Sequence, residues 1–156
     1  MLLKYGLCPD ASEALARLCL GARIGQTVGF AAASAGTHAP DGALDGHPYC
    51  AATDLHVADL GHAEVRELLS RLADMGFAAF YRRPGFDHWP AYDALHVHAV
   101  FAGVKMKPML QDQIHQWLHG LNGLASRARY EFWQPSAAQC QVVRALFLAH
   151  NSPVAA

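Results

Sequence analysis

Gly61-His-Ala-Glu-Val-Arg-Glu-Leu-Leu-Ser-Arg-Leu-Ala-Asp-Met-Gly76, running straight into Phe77-Ala-Ala-Phe-Tyr-Arg82, sets an amphipathic helix directly before a strand. Val65, Leu68, Leu69, Leu72 and Met75 recur at helical spacing and share one apolar face, and Gly76 is the residue type that ends helices. Upstream, Asp10 to about Ala22 reads as a helix, with Asp10 or Ser12 to cap it and Leu15, Leu18 and Cys19 at helical spacing. Gln26–Ala33 and Cys50–Val57 read as strands, separated by a Gly-, Pro- and Asp-rich stretch over Ser34–Pro48 that reads as a loop. Downstream, Pro84–Ala91 is a loop, Leu95–Phe101 alternates as a strand does, and helices are expected from about Pro108 to Leu121 and from Ser136 to about His150. The order α, β, β, α, β, β, α, α predicts an α+β domain, a small, mostly antiparallel sheet with flanking helices. No repeat and no linker divides the 156 residues, so a single domain over 1–156 is expected.

Composition narrows the function. A hydrophobic fraction of 53% is that of a folded chain, and a net charge of -1 gives no electrostatic footprint for nucleic acid or an anionic membrane. No apolar run approaches the length of a membrane span. The first residues carry no basic start leading into a long apolar run, since Asp10 and Glu13 interrupt early, so a cytoplasmic location is expected. The four cysteines, at 8, 19, 50 and 140, show no C-X-X-C pairing and read as reduced, mostly buried thiols. Histidine stands out, with ten residues against twelve Lys and Arg combined, a bias that suits metal or proton chemistry.

Two segments concentrate that chemistry. His47-Pro-Tyr-Cys-Ala-Ala-Thr-Asp54 places a histidine and an aspartate seven apart, and His96-Val-His98 places two imidazoles on one face of a strand. A carboxylate inside an apolar strand and paired histidines on a sheet face each need a cation or hydrogen-bonding partners. Nitrogen and oxygen donors of this kind suit zinc, and three protein ligands leave a fourth position open, as catalytic sites do.

These segments resemble the hedgehog/DD-peptidase group of zinc peptidases, which includes D-Ala-D-Ala dipeptidases and carboxypeptidases, phage endolysins, a murein endopeptidase and the hedgehog signalling domain. The group's first motif is Ser-X-His-X-X-Gly-X-Ala-X-Asp. His47, Ala52 and Asp54 fall on its His, Ala and Asp positions, while Asp45 replaces the Ser and Cys50 the Gly. For the second motif two registers fit, Asp93-Ala-Leu-His96 and His96-Val-His98. The second is the better match, making His98 the last ligand, with Asp93 and His96 as the acid/base residues. The resemblance covers about residues 26–102 and leaves the helices after 108 unexplained. It implies a zinc cofactor held by His47, Asp54 and His98, and hydrolysis of a short peptide containing D-amino acids, from peptidoglycan or its precursors. An inactive zinc-containing binding module of the same fold is the alternative.

Three further features compete for a role. His38 and Asp45 repeat the sevenfold spacing, but in a turn-rich stretch poorly suited to rigid ligands, which leaves His38 to line the cleft. His115 and His119 share a helix face as in His-Glu-X-X-His proteases, yet Gln116 stands where the base would be and an amide takes no proton from water. Arg82 or Arg83 could meet a substrate carboxylate, and Trp89 and Tyr92 could flank the cleft.

Overall fold

The computed structural model describes residues 6–29 and 36–152. Four strands, β1 (Ile24–Gln26), β4 (Ala52–Leu55), β5 (Phe77–Arg82) and β6 (His96–Phe101), form one antiparallel sheet in the order β1-β4-β6-β5. Between β1 and β4 the chain makes a separate two-stranded sheet, β2 (Gly42–Leu44) with β3 (His47–Tyr49). Four helices complete the fold: α1 (Pro9–Arg17), α2 (His62–Asp74), α3 (Pro108–Leu118) and α4 (Ala137–Asn151). The small antiparallel sheet with flanking helices agrees with the expected α+β architecture. Among the described residues no helix is long and apolar enough to cross a membrane.

The alternation of side chains along β5 and β6 divides the core in two. Val97, Ala99 and Phe101 on β6, with Phe77, Ala79 and Tyr81 on β5, pack against Leu15 of α1 and the Val65, Leu69 and Leu72 stripe of α2. The opposite face, carrying Ala78, Phe80 and Val100, packs against Leu110, Ile114 and Trp117 of α3 and Val143 and Phe147 of α4. Gly76 stops α2 at φ +91, where a Cβ would stand 2.3 Å from a Leu146 methyl, so the turn from helix to strand admits only glycine.

Several expected boundaries move. The first helix ends at Arg17 rather than near Ala22, because the chain turns at Cys19 (φ 59). The first strand is shorter and earlier than Gln26–Ala33, part of which lies outside the described residues. The loop expected over Ser34–Pro48 contains the β2–β3 hairpin, turned at Asp45 (φ 49) and Gly46 (φ 79), both left-handed as a two-residue type I′ turn requires. The four cysteines are free, Cys8 and Cys50 buried, Cys140 half-buried and Cys19 exposed.

Candidate metal centre

Register places the central pair. Asp54 on β4 sits directly across from His98 on β6, and Phe80 of β5 flanks His98 on its other side. One step along the same face, His96 pairs with Arg82. The sheet face that buries Phe80 and Val100 under α3 thus turns polar towards the start of β6, and Asp54, His96, His98 and Arg82 all open into one cavity of about 370 Å³. Gln26, His38, His56, Trp89, Asp93 and Gln113 also line it.

His38, Asp54 and His98 each present a ligand atom, and the three atoms lie within 4.8 Å of one another. His98 Nδ1 is 2.9 Å from Asp54 Oδ1, and His38 Nε2 is 3.1 Å from Asp54 Oδ2. The far side of each ring is anchored: His38 Nδ1 lies 2.8 Å from the Thr27 carbonyl, and His98 Nε2 lies 2.8 Å from Gln113 Oε1 on α3. Anchoring of this kind fixes the tautomer and aims the other nitrogen at a metal. His96 approaches from the side, with Nδ1 2.9 Å from the Ala94 carbonyl and Nε2 3.6 Å from Asp54 Oδ1, and its ring meets Trp89 edge to face. It is not one of the three clustered ligands.

The expected ligand His47 is elsewhere. It is exposed on β3, across the hairpin from Leu44, while His38 takes the place beside Asp54 and His98. The expectation placed His47 at the end of a loop that runs directly into the strand carrying Asp54. The chain instead leaves the hairpin at Tyr49, bends through Cys50 and Ala51, and enters the main sheet only at Ala52. His38 reaches the site because the hairpin is an excursion closed at its base, where the Asp41 amide donates to the Tyr49 carbonyl at 2.8 Å. The Asp41 carboxylate, wholly buried, accepts from the Ala51 amide (2.7 Å), the Lys107 amide (2.7 Å) and Lys107 Nζ (3.1 Å). The side chains of Asp93 and His96 both border the cavity. His115 and His119 do not; the His119 ring bonds back to the His115 carbonyl and the His115 ring packs on Phe147. Arg82 lines the cavity, whereas Arg83 stacks on Phe86 with its guanidinium 3.7 Å above the ring.

Charge in this cluster is unusual. A neutral imidazole has one N–H, yet both nitrogens of His38 face groups that can only accept, the Thr27 carbonyl and the Asp54 carboxylate. The surroundings therefore demand positive charge, which either extra protons or a cation can supply. Burial opposes a charged His38, but the hydrogen bond to Asp54, reinforced by Cys50, outweighs it and raises the pKa to about 9. Burial likewise opposes ionised Asp54, but His38 and His98 hold its carboxyl far below the usual carboxylate range. At His96 burial prevails over the pull of Asp54, and the pKa falls below that of free histidine. The donor set of two imidazole nitrogens and one carboxylate suits zinc; donors of a tetrahedral zinc stand about 3.3 Å apart, and here the two imidazoles meet different oxygens of Asp54, with one donor atom from each residue within 4.8 Å of the others.

Compared with protein-family models, with curated proteins and with solved structures, the chain matches none.

Proposed function

We propose that this chain is a zinc-dependent metallopeptidase that hydrolyses a short D-amino-acid-containing peptide of peptidoglycan or its precursors, with His38, Asp54 and His98 as the metal ligands. The observation that carries the reading is the convergence of two anchored, buried imidazoles on one half-buried carboxylate that lines an open cavity. The substrate class rests on the motif resemblance alone. His38 and Asp54 do not keep the sevenfold spacing of that motif, and the β2–β3 hairpin occupies the difference.

A bound zinc ion would supply a Lewis acid beside the scissile carbonyl and make water acidic enough to ionise near neutrality. The remaining work falls to side chains. His96 donates its Nδ1–H to the Ala94 carbonyl, which leaves Nε2 bare and facing the Asp54 side of the cavity. Its lowered pKa keeps the ring neutral, so Nε2 can take the proton from the attacking water and return it to the leaving amine. Asp93 on the cavity wall is the second candidate for that role. Trp89 packs against His96 and donates its Nε1–H to the Ala94 carbonyl at 3.1 Å, holding the segment that leads into His96 at the start of β6.

The test is metal analysis of purified protein followed by incubation with D-Ala-D-Ala and with muropeptides, with and without a chelator. About one zinc per chain and chelator-sensitive release of an amine are expected. A chain that binds no divalent metal would overturn the scheme, and one that binds zinc fully but cleaves neither substrate would be a binding module instead.

A further inference from the structure

Among the described residues that line the cavity, Arg82 is a charged group that neither the metal cluster nor the proton transfer uses. It is 3% exposed, at the end of β5 beside His96. Its Nη1 donates to the Asn122 carbonyl at 2.6 Å, and its guanidinium lies 4.6 Å from the Phe80 ring centre and 5.6 Å from that of Trp89. It forms no ion pair among the described residues. Asp54 and Asp87 act on it at longer range without pairing with it, whereas a buried guanidinium is ordinarily paired directly. Its free N–H groups are not sealed in the core either: the buried polar atoms without a partner are Ser12 Oγ, Arg83 Nε, Gln116 Oε1 and Trp117 Nε1. Nε and Nη2 therefore keep some exposure, and Arg82 lines the cavity.

Resting on the metallopeptidase reading, we infer that Arg82 is a specificity residue that grips a free carboxylate of the substrate, so that the cleft selects peptides ending in, or carrying, a carboxylate about one residue from the scissile bond. Three things favour this ligand. The planar guanidinium fork matches a carboxylate with two parallel hydrogen bonds. Phe80 and Trp89 hold the fork flat, which reduces the ordering cost of binding. Arg82 and His96 are cross-strand neighbours, and His98 is two residues from His96 on the same face, so the grip and the metal cluster are separated by about one peptide residue. Burial brings the Arg82 pKa down to about 10, so the side chain is still charged at neutral pH.

The experiment measures binding of D-Ala-D-Ala and of its C-terminal amide to the purified chain by calorimetry, in wild type and in Arg82→Gln, with zinc content recorded separately for each preparation. The expected result is that wild type prefers the acid by about tenfold or more, as loss of charge-assisted hydrogen bonds implies, and that Arg82→Gln binds both alike with the same metal content. Equal affinity for acid and amide in wild type, a preference that survives Arg82→Gln, or binding of neither ligand overturns the inference. If Arg82→Gln does not fold, Arg82→Lys, which can still donate to the Asn122 carbonyl, replaces it; the preference should then shrink, and an undiminished one overturns the inference. Metal content tests the zinc reading on its own, because the preference is compared on preparations of known content. A peptide with a side-chain carboxylate and an amidated end, run in parallel, tells which carboxylate is gripped.

Discussion

A hydrogen-bond acceptor on both sides of an imidazole is a statement about charge, and His38 makes it most clearly. The Thr27 carbonyl and the Asp54 carboxylate can only accept, so the ring is satisfied as an imidazolium or as a neutral ligand to a cation. Metal and proton therefore compete for Nε2. With the pKa of the metal-free site at about 9, zinc uptake near pH 7 displaces a proton, and the apparent affinity should climb with pH and level off above about 9. Calorimetry in buffers of different ionisation enthalpy should count about one proton released per zinc; no release would show that His38 is not a ligand. The same shift has a sign for metal-free stability. A raised folded-state pKa contributes fully below the unfolded value of 6.5 and is lost as pH rises through about 9, so the metal-free chain should be less stable at pH 9.5 than at pH 6 in urea melts, His38 being the cause if His38→Ala flattens the trend. A direct pair of variants separates the two ligand assignments: His38→Ala should lose stoichiometric zinc and His47→Ala should keep it, as read by metal analysis. Asp54 and His98 were legible in the sequence because a carboxylate and alternating histidines interrupt otherwise apolar strands. His38 was not legible as a ligand, since spacing measures contour length, and a hairpin can hide in it.

That hairpin is the element on which the geometry turns. Its tip carries a local signal, Asp45-Gly46 between Leu44 and His47, which is the type I′ pattern; composition pointed to a loop and obscured it. Its base carries none, because Asp41 acts through partners that are distant in sequence, Ala51 and Lys107. The two ends should differ in energy. Asp41→Ala removes one acceptor of the half-buried Lys107 ammonium, which keeps the Ala39 carbonyl, and strands two amide donors that also fix the start of β4 and of α3, so it should cost about 2–4 kcal/mol in urea denaturation, with weaker zinc binding through displacement of His38. Gly46→Ala meets only conformational strain, since open space surrounds its Cβ position, and should cost about 1 kcal/mol with zinc binding unchanged. Comparable losses for both variants would mean that the hairpin base does not position the ligand. The longer elements were easier to read. α2 carries a clear apolar stripe, and α2, β5, α3 and α4 each lie within a few residues of their expected bounds.

At the scale of the molecule, strand order was the part that the sequence did not disclose. Nothing local says that β6 inserts between β4 and β5, yet that insertion sets Asp54 across from His98 and Arg82 across from His96. The centre consequently joins segments that fold apart in sequence: the approach to the hairpin, β4, β6 and, through Gln113, α3. A cation bound there ties all four together and is bound by the native state alone, so it must stabilise the whole fold by mass action. At a free zinc concentration a hundred times the dissociation constant the gain is about 2.7 kcal/mol, which for a chain of this size corresponds to a rise in Tm of about 5–10 °C. Thermal melts of the metal-free and zinc-loaded chain should show that rise, and a chelator should reverse it. His38→Ala should abolish the rise, whereas His96→Ala should retain it while losing hydrolysis, because its imidazole borders the cluster without belonging to it. A zinc-induced rise that persists in His38→Ala and disappears in His96→Ala would make His96 the ligand in place of His38 and leave the proton transfer to another group, with Asp93 on the cavity wall as the candidate.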